Sequence, residues 1–289
     1  MRFRSIAWLG VLLCCINCGP RNMTHTPAGD SAGDANTNHW AIYYDYRIPI
    51  AQFQHFDLVV FDRVYYPDFT KIHRKTVVLA EVNAGEVPPN TPDHSLLEHE
   101  NALLAGGASK GMAAVDLTSP RWHQAIMTKV DDAINKGFDG VMLDGLDSPL
   151  KAADAISTEV ANKNRDAAIT LIEEIRNKHP KIKIMLNRAF DILPQVASKI
   201  DYVLAESILT ENDDFSGHSR FVAANTYQQM AGSLRWARDL SSDIKIYTLD
   251  YWNVNDGESI KKIYRMQREQ GFSPYVTSRD LRHFTPEPQ

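Results

Sequence analysis

Cysteine is confined to the first eighteen positions, at Cys14, Cys15 and Cys18. Any domain beyond them has no thiol, which excludes disulfide staples, cysteine-bound metal and a cysteine nucleophile. Histidine offers no replacement: His94 and His99 flank Glu98 without zinc-site spacing, so neither a metal nor a cofactor is expected. Long basic runs are missing and the net charge is −5, which gives nucleic acid nothing to hold. The apolar run from Ile6 to Ile16 is too short for a stable bilayer span. No internal repeat and no second-domain boundary are visible.

What is present begins with a basic flank, Met1 to Arg4, followed by that apolar run and then Asn17-Cys18-Gly19. This is the layout of a secretory signal peptide over 1–18, with Cys18 as a lipidation site, Cys15 as a competing acceptor and simple signal cleavage as the alternative, so the chain is expected to be exported and to meet a membrane only through an N-terminal lipid anchor. Residues 19–38, rich in Thr, Gly, Asp and Asn and without hydrophobic periodicity, are expected to be a disordered polar tether. The folded domain should span 39–289, about the length of one (β/α)8 barrel.

Eight strand-forming runs fall inside it: Trp40 to Tyr46, Leu58 to Asp62, Thr76 to Asn83, Val141 to Asp144, Ile182 to Asn187, Tyr202 to Glu206, Ile244 to Asp250 and Pro274 to Ser278. Helical apolar spacing fills several gaps, over Arg121 to Lys136, Ala152 to Lys178, Phe190 to Ser198, Ala223 to Leu240 and Glu258 to Gln270. Ser119-Pro120 opens the first of these as N-cap and N1, and His179-Pro180 closes the second. Strand and helix in alternation specify a parallel sheet, and the count specifies a closed α/β barrel of the TIM type. The first two connections, Arg47 to Asp57 and Arg63 to Lys75, are too short for full helices, so that side should be irregular.

A barrel gathers the C-terminal ends of its strands, however far apart they lie in the chain. Those ends carry Asp45, Asp62, Glu81 with Asn83 and Glu86, Asp144 with Asp147, Asn187 with Arg188, Glu206, and Asp250 with Tyr251 and Trp252. A ring of carboxylates without thiol or histidine cluster suits acid/base and nucleophilic work on a glycosidic bond.

The same residues carry a resemblance. Leu79 to Glu86, Val115-Asp116-Leu117 through Pro120-Arg121-Trp122, Gly137 to Asp147, Ala205-Glu206-Ser207, Leu249-Asp250-Tyr251 and the closing Gly271 to Thr277 follow one another as in an extracellular barrel family. The chain resembles glycoside hydrolase family 114, the endo-α-1,4-polygalactosaminidases and their bacterial relatives. The resemblance implies a secreted or lipid-anchored hydrolase of α-linked, galactosamine-containing polysaccharide, with Asp144 and Glu206 as the catalytic pair.

Such a pair needs one carboxylate ionised and the other holding a proton, a split that proximity and burial produce. Asp144 is assigned as nucleophile or electrostatic stabiliser and Glu206 as general acid/base, with the labels exchangeable. Two strands apart, they should lie close enough for retention. Asp45, Asp62, Asn83, Glu86, Asp147, Asn187, Asp250, Tyr251 and Trp252 are the expected substrate contacts, Tyr251 and Trp252 by stacking. Asp139, at the far end of its strand, reads as a turn residue, and Trp122 and Trp236 as helix packing. A polysaccharide-binding barrel without hydrolysis is the alternative reading, although a binder has no need of a matched acid pair.

Overall fold

The computed structural model describes residues 38–72, 75–106, 111–212 and 218–288. The expected signal peptide, Cys18 and nearly all of the tether lie outside them. Among the described residues no helix is long and apolar enough to cross a membrane.

Eight parallel strands form one sheet: β1 Trp40–Tyr43, β2 Leu58–Asp62, β3 Val77–Asn83, β4 Gly140–Asp144, β5 Lys183–Asn187, β6 Tyr202–Glu206, β7 Lys245–Tyr251 and β8 Ser273–Thr277. Their spatial order is their chain order, as successive right-handed βα crossovers require. No ladder joins β1 to β8. The seam is closed instead by Trp40 Nε1 donating to Ser273 O at 2.9 Å and Asn38 N to Ser273 Oγ at 3.2 Å. The C-terminal segment covers the same edge: Tyr44 N donates to Leu281 O at 2.8 Å, and Phe284 packs edge-on against Phe53 and Phe56.

Outside the sheet run α1 Pro92–His99, α2 Pro120–Asn135, α3 Asp147–Ile156, α4 Thr158–Lys178, α5 Leu193–Val196, α6 Ala224–Leu240 and α7 Gly257–Glu269. Two differ from the sequence reading. The run from Ala152 to Lys178 is broken at Ser157, whose extended backbone ends α3 while its hydroxyl accepts Val160 N at 3.2 Å to cap α4. α1 falls where no pattern was seen, since only Leu97 of its eight residues is buried; Thr91-Pro92 starts it as Ser119-Pro120 starts α2. Trp236 is also corrected. It stands 46 % exposed on α6, whereas Trp122 is buried and donates its indole N–H to Ala84 O at 2.7 Å.

The first two connections are irregular as expected: β1 reaches β2 through one 3-10 turn, Ile50–Phe53. Between β3 and β4 lies an insertion, a three-stranded antiparallel sheet of Glu86–Val87, Leu103–Leu104 and Ala113–Val115 with α1. A hairpin of Thr210–Asn212 and Ser219–Phe221 follows β6.

Strand register decides which side chains face the barrel axis. Asp62 is level with Glu81, Glu81 with Met142, Asn83 with Asp144, Asn187 with Leu204, and Glu206 with Leu249. Side chains alternate along a strand, so Asp62, Glu81, Asn83, Asp144, Asn187, Glu206 and Tyr251 share the inward face at its C-terminal end. At the other end the rings of Trp40, Tyr202 and Tyr247 fill the interior edge to face, with centroids 5.4 and 5.5 Å apart.

Candidate active site

Three adjacent strands end alike. Asp144, Asn187 and Glu206 are each followed by a left-handed residue, Gly145 at φ 76°, Arg188 at 55° and Ser207 at 57°. Each turn swings the chain away and leaves the preceding side chain standing in the mouth. For Arg188 and Ser207, which carry a Cβ, the conformation costs about 1 kcal/mol or more apiece, strain of the kind held at functional sites. At Gly145 a side chain is excluded twice over, since an added Cβ would sit 2.6 Å from Asn83 Oδ1.

The amide of Asn187 joins the two acids. Its Nδ2 donates to Asp144 Oδ1 at 2.8 Å and to Glu206 Oε2 at 3.2 Å. The two oxygens are therefore no more than about 6 Å apart, the sum of those bonds. Asp144 Oδ1 also accepts Gly145 N at 2.7 Å, while Oδ2 has no hydrogen bond among the described residues. The hydroxyl of Tyr251 donates to Glu206 Oε1 at 2.6 Å. Arg188 places its guanidinium 4.0 Å from Glu206 Oε2 and 3.7 Å from Asp147 Oδ2. Asn187 itself is buried, and its Oδ1 has no partner among the described residues.

Electrostatics follow from this crowding. Burial, with the Glu206 charge second, pushes the Asp144 carboxyl up to about 6, against the pull of Asn187 and Gly145 N–H. Glu81 is pushed to about 8 by burial and then by Asp144 and Asp62, so it holds a proton at neutral pH. Burial and then Glu206 drive the Tyr251 phenol well above its ordinary value, which keeps it a donor. Tyr44 is raised too, by burial and then by Glu81, Asp144, Tyr251 and Glu206, which places it among all four.

Of the expected substrate contacts, Asn187 and Tyr251 join the pair directly, with Asn187 as a bridge between the acids and Tyr251 as a hydrogen-bond donor in place of a stacking surface. Asp147 opens α3 and is shared by Lys151, at 2.6 Å, and Arg188. Asn83 Oδ1 accepts Gly85 N and Glu86 N, and Glu86 takes the Ser148 hydroxyl at 2.5 Å. Asp62 accepts Val64 N and Tyr65 N at 2.6 and 2.7 Å. Asp250 is corrected. Next to Tyr251, it points outward to the helices, fully buried, and accepts Gln267 Nε2 at 2.6 Å, Thr210 N at 2.9 Å and Thr210 Oγ1 at 3.0 Å. Asp45 is likewise off the inward face. Its carboxylate is held by the Arg47 guanidinium and by Tyr46 N, and Arg47 foremost lowers its pKa. Trp252 spends its N–H on Asp256 Oδ2 at 3.0 Å and packs on Phe221 at 4.8 Å.

Tyr44 was missed. Alternation was the signal, because it shares a face with Ile42 and Trp40 whereas Asp45 does not, but in strands buried on both faces alternation hardly shows in the sequence. Among the described residues no three His, Cys, Asp or Glu are grouped to hold a metal ion. One cavity, about 350 Å³, opens at the opposite end of the barrel beside His39, Phe56 and Phe284, away from the pair; another, about 190 Å³, lies beside the pair and is lined by Glu81 and Asn83.

A parallel barrel whose C-terminal mouth holds two amide-bridged carboxyl groups has the architecture of a barrel glycosidase. The sequence profile of glycoside-hydrolase family GH114 matches residues 22–288, and the chain belongs to that family. Among solved structures, the glycoside hydrolase domain of PelA from Pseudomonas aeruginosa is similar at a TM-score of 0.75 and 21 % identity, covering 86 % of this chain and 98 % of that one. Ega3 of Aspergillus fumigatus, in complex with galactosamine, is similar at 0.60 and 15 %, covering 87 % and 95 %. No curated protein matches the chain.

Proposed function

We propose that this family GH114 glycoside hydrolase cleaves α-linked, galactosamine-containing polysaccharide with retention of anomeric configuration, Asp144 acting as nucleophile and Glu206 as general acid/base. The observation that carries the reading is the Asn187 amide shared by the two acids. It holds those two oxygens within about 6 Å of each other, short of the roughly 6.5 to 9.5 Å at which inverting enzymes make room for a water and compatible with the roughly 5 to 5.5 Å of retaining ones. The amino sugar is supported by family membership and by the galactosamine bound to Ega3.

The roles follow from the surroundings of each acid. Asp144 directs both donors onto Oδ1, so Oδ2 is left to attack the anomeric carbon. Glu206 gives its proton to the leaving oxygen as that bond breaks, then takes one from the water that attacks the glycosyl-enzyme. Arg188 and Tyr251 steady the charge that Glu206 carries between these steps. We further propose that the enzyme works outside the cytoplasm, cleaved after a signal peptide and held by lipid on Cys18, a reading supported by the run from Ile6 to Cys18.

The test is reducing-end release from α-1,4-linked galactosamine polymer, with the first anomer read by NMR. Wild type should release α-configured ends, and Asp144→Asn and Glu206→Gln none. Binding without release by wild type would favour the non-hydrolytic barrel, and an inverted first product would overturn retention. Loss of acyl labelling in Cys18→Ser tests the anchor.

A further inference from the structure

We propose that the cavity over the ends of β2 and β3, with Glu81, Asp62 and Asn83 on its barrel side and Met112 and Pro88 opposite, is a second sugar subsite adjoining the scissile position, with Tyr65 as its outer stacking face. The proposal rests on the glycosidase reading above and adds where the polymer lies. Its volume, about 190 Å³, equals roughly six waters, the scale of one pyranose ring.

Three observations converge on it. The cavity lies beside Asp144, since Asn83 lines it and is level with Asp144, and Glu81 senses the Asp144 charge. The Glu81 carboxyl makes no hydrogen bond to any described residue, although it is held among Asp62 and Asp144 and kept protonated. A neutral carboxyl offers one donor and one acceptor, a match for a ring hydroxyl. Lastly, Val64 lines the cavity and its chain neighbour Tyr65 is 61 % exposed, and the backbone N–H groups of both are pinned by Asp62. An aromatic face on a fixed main chain, beside a pocket mixing apolar and polar walls, is how proteins grip a sugar's two kinds of surface. Asp62 and Glu86 share the lining with Arg63 and Lys129, so charge of both signs surrounds the neutral Glu81 carboxyl, a wall that offers partners to hydroxyl and amino groups alike.

Defined α-linked galactosamine oligomers, from dimer to hexamer, test this. Wild-type kcat/KM should rise with length, and Tyr65→Ala and Glu81→Gln should each lose about tenfold on the hexamer, mostly in KM, with the penalty shrinking toward the dimer. Titration of the same oligomers into the Asp144→Asn variant, with and without Tyr65→Ala, reads binding alone. Equal kcat/KM at every length, or a Tyr65→Ala penalty that does not change with length, overturns the subsite while leaving hydrolysis standing. Absence of cleavage by wild type, with length-dependent binding that Tyr65→Ala weakens, overturns hydrolysis and keeps the subsite. Tyr65 is exposed, so its variant is tested in a folded protein even if Glu81→Gln fails to fold.

Discussion

The two ends of the barrel are built from the same strands and obey different rules. At the N-terminal end the polar groups are paired. Asn38 Nδ2 donates to the Tyr247 hydroxyl at 2.9 Å, and Asp139 accepts Val78 N at 2.8 Å. Asp201 takes Arg176 and Lys183, each at 2.7 Å, together with Ile184 N. At the C-terminal end Asp144 and Glu206 share one amide, Glu81 has no hydrogen bond to a described residue, and Arg188, Ala189 and Ser207 hold left-handed backbone. The lesson is a division of labour within each strand: the first half repays its desolvation inside the protein, and the last residue leaves that debt for a ligand.

The contrast breaks most sharply at the acids themselves. Asp144→Asn or Glu206→Gln should lower turnover about a thousandfold or more while leaving thermal stability equal or higher, as differential scanning calorimetry with an end-point assay would register. Asn187→Ala comes next. Without the bridge, two carboxyls face each other unscreened, so turnover should fall about a hundredfold. The acid limb of the pH–rate profile, set by Asp144 at about 6, should move to higher pH. A structural role alone would leave that limb in place.

At the opposite end the expectation reverses. Asp201→Ala removes the shared acceptor of Arg176, Lys183 and Ile184 N, and should cost about 2 kcal/mol in urea unfolding with turnover per folded molecule unaltered. The smallest effect sharpens the same contrast through pH. Glu81 binds its proton more tightly folded than unfolded, so its contribution to stability is complete below pH 4.5 and is lost as pH rises through about 8. Glu81→Gln should therefore gain on wild type across that window, by about 1 to 2 kcal/mol at pH 9. A gain that shrank with rising pH would show the carboxyl to be stabilised as an anion.

Much of this site was legible because polar residues that end apolar runs are conspicuous: Asp144 after Val141-Met142-Leu143, Asn187 after Ile184-Met185-Leu186, Glu206 after Val203-Leu204-Ala205. Orientation was not. Asp250 and Tyr251 are neighbours on one strand, and so are Asp45 and Tyr44 at the end of another. Asp45 was expected at the site without Tyr44, and Asp250 together with Tyr251; in each pair it is the tyrosine that faces the cleft. Asn187 was legible as a site residue and illegible as a bridge, since its partners lie 43 and 19 residues away.

Composition and order along the chain were enough for eight strands, their parallel arrangement and the family, because apolar runs, caps and helical spacing are local properties that each segment carries with it. Which side chains meet was settled only by closure of the barrel. Register and twist assign each strand-end residue to the axis or to the helices, and in strands buried on both faces no local pattern records that choice.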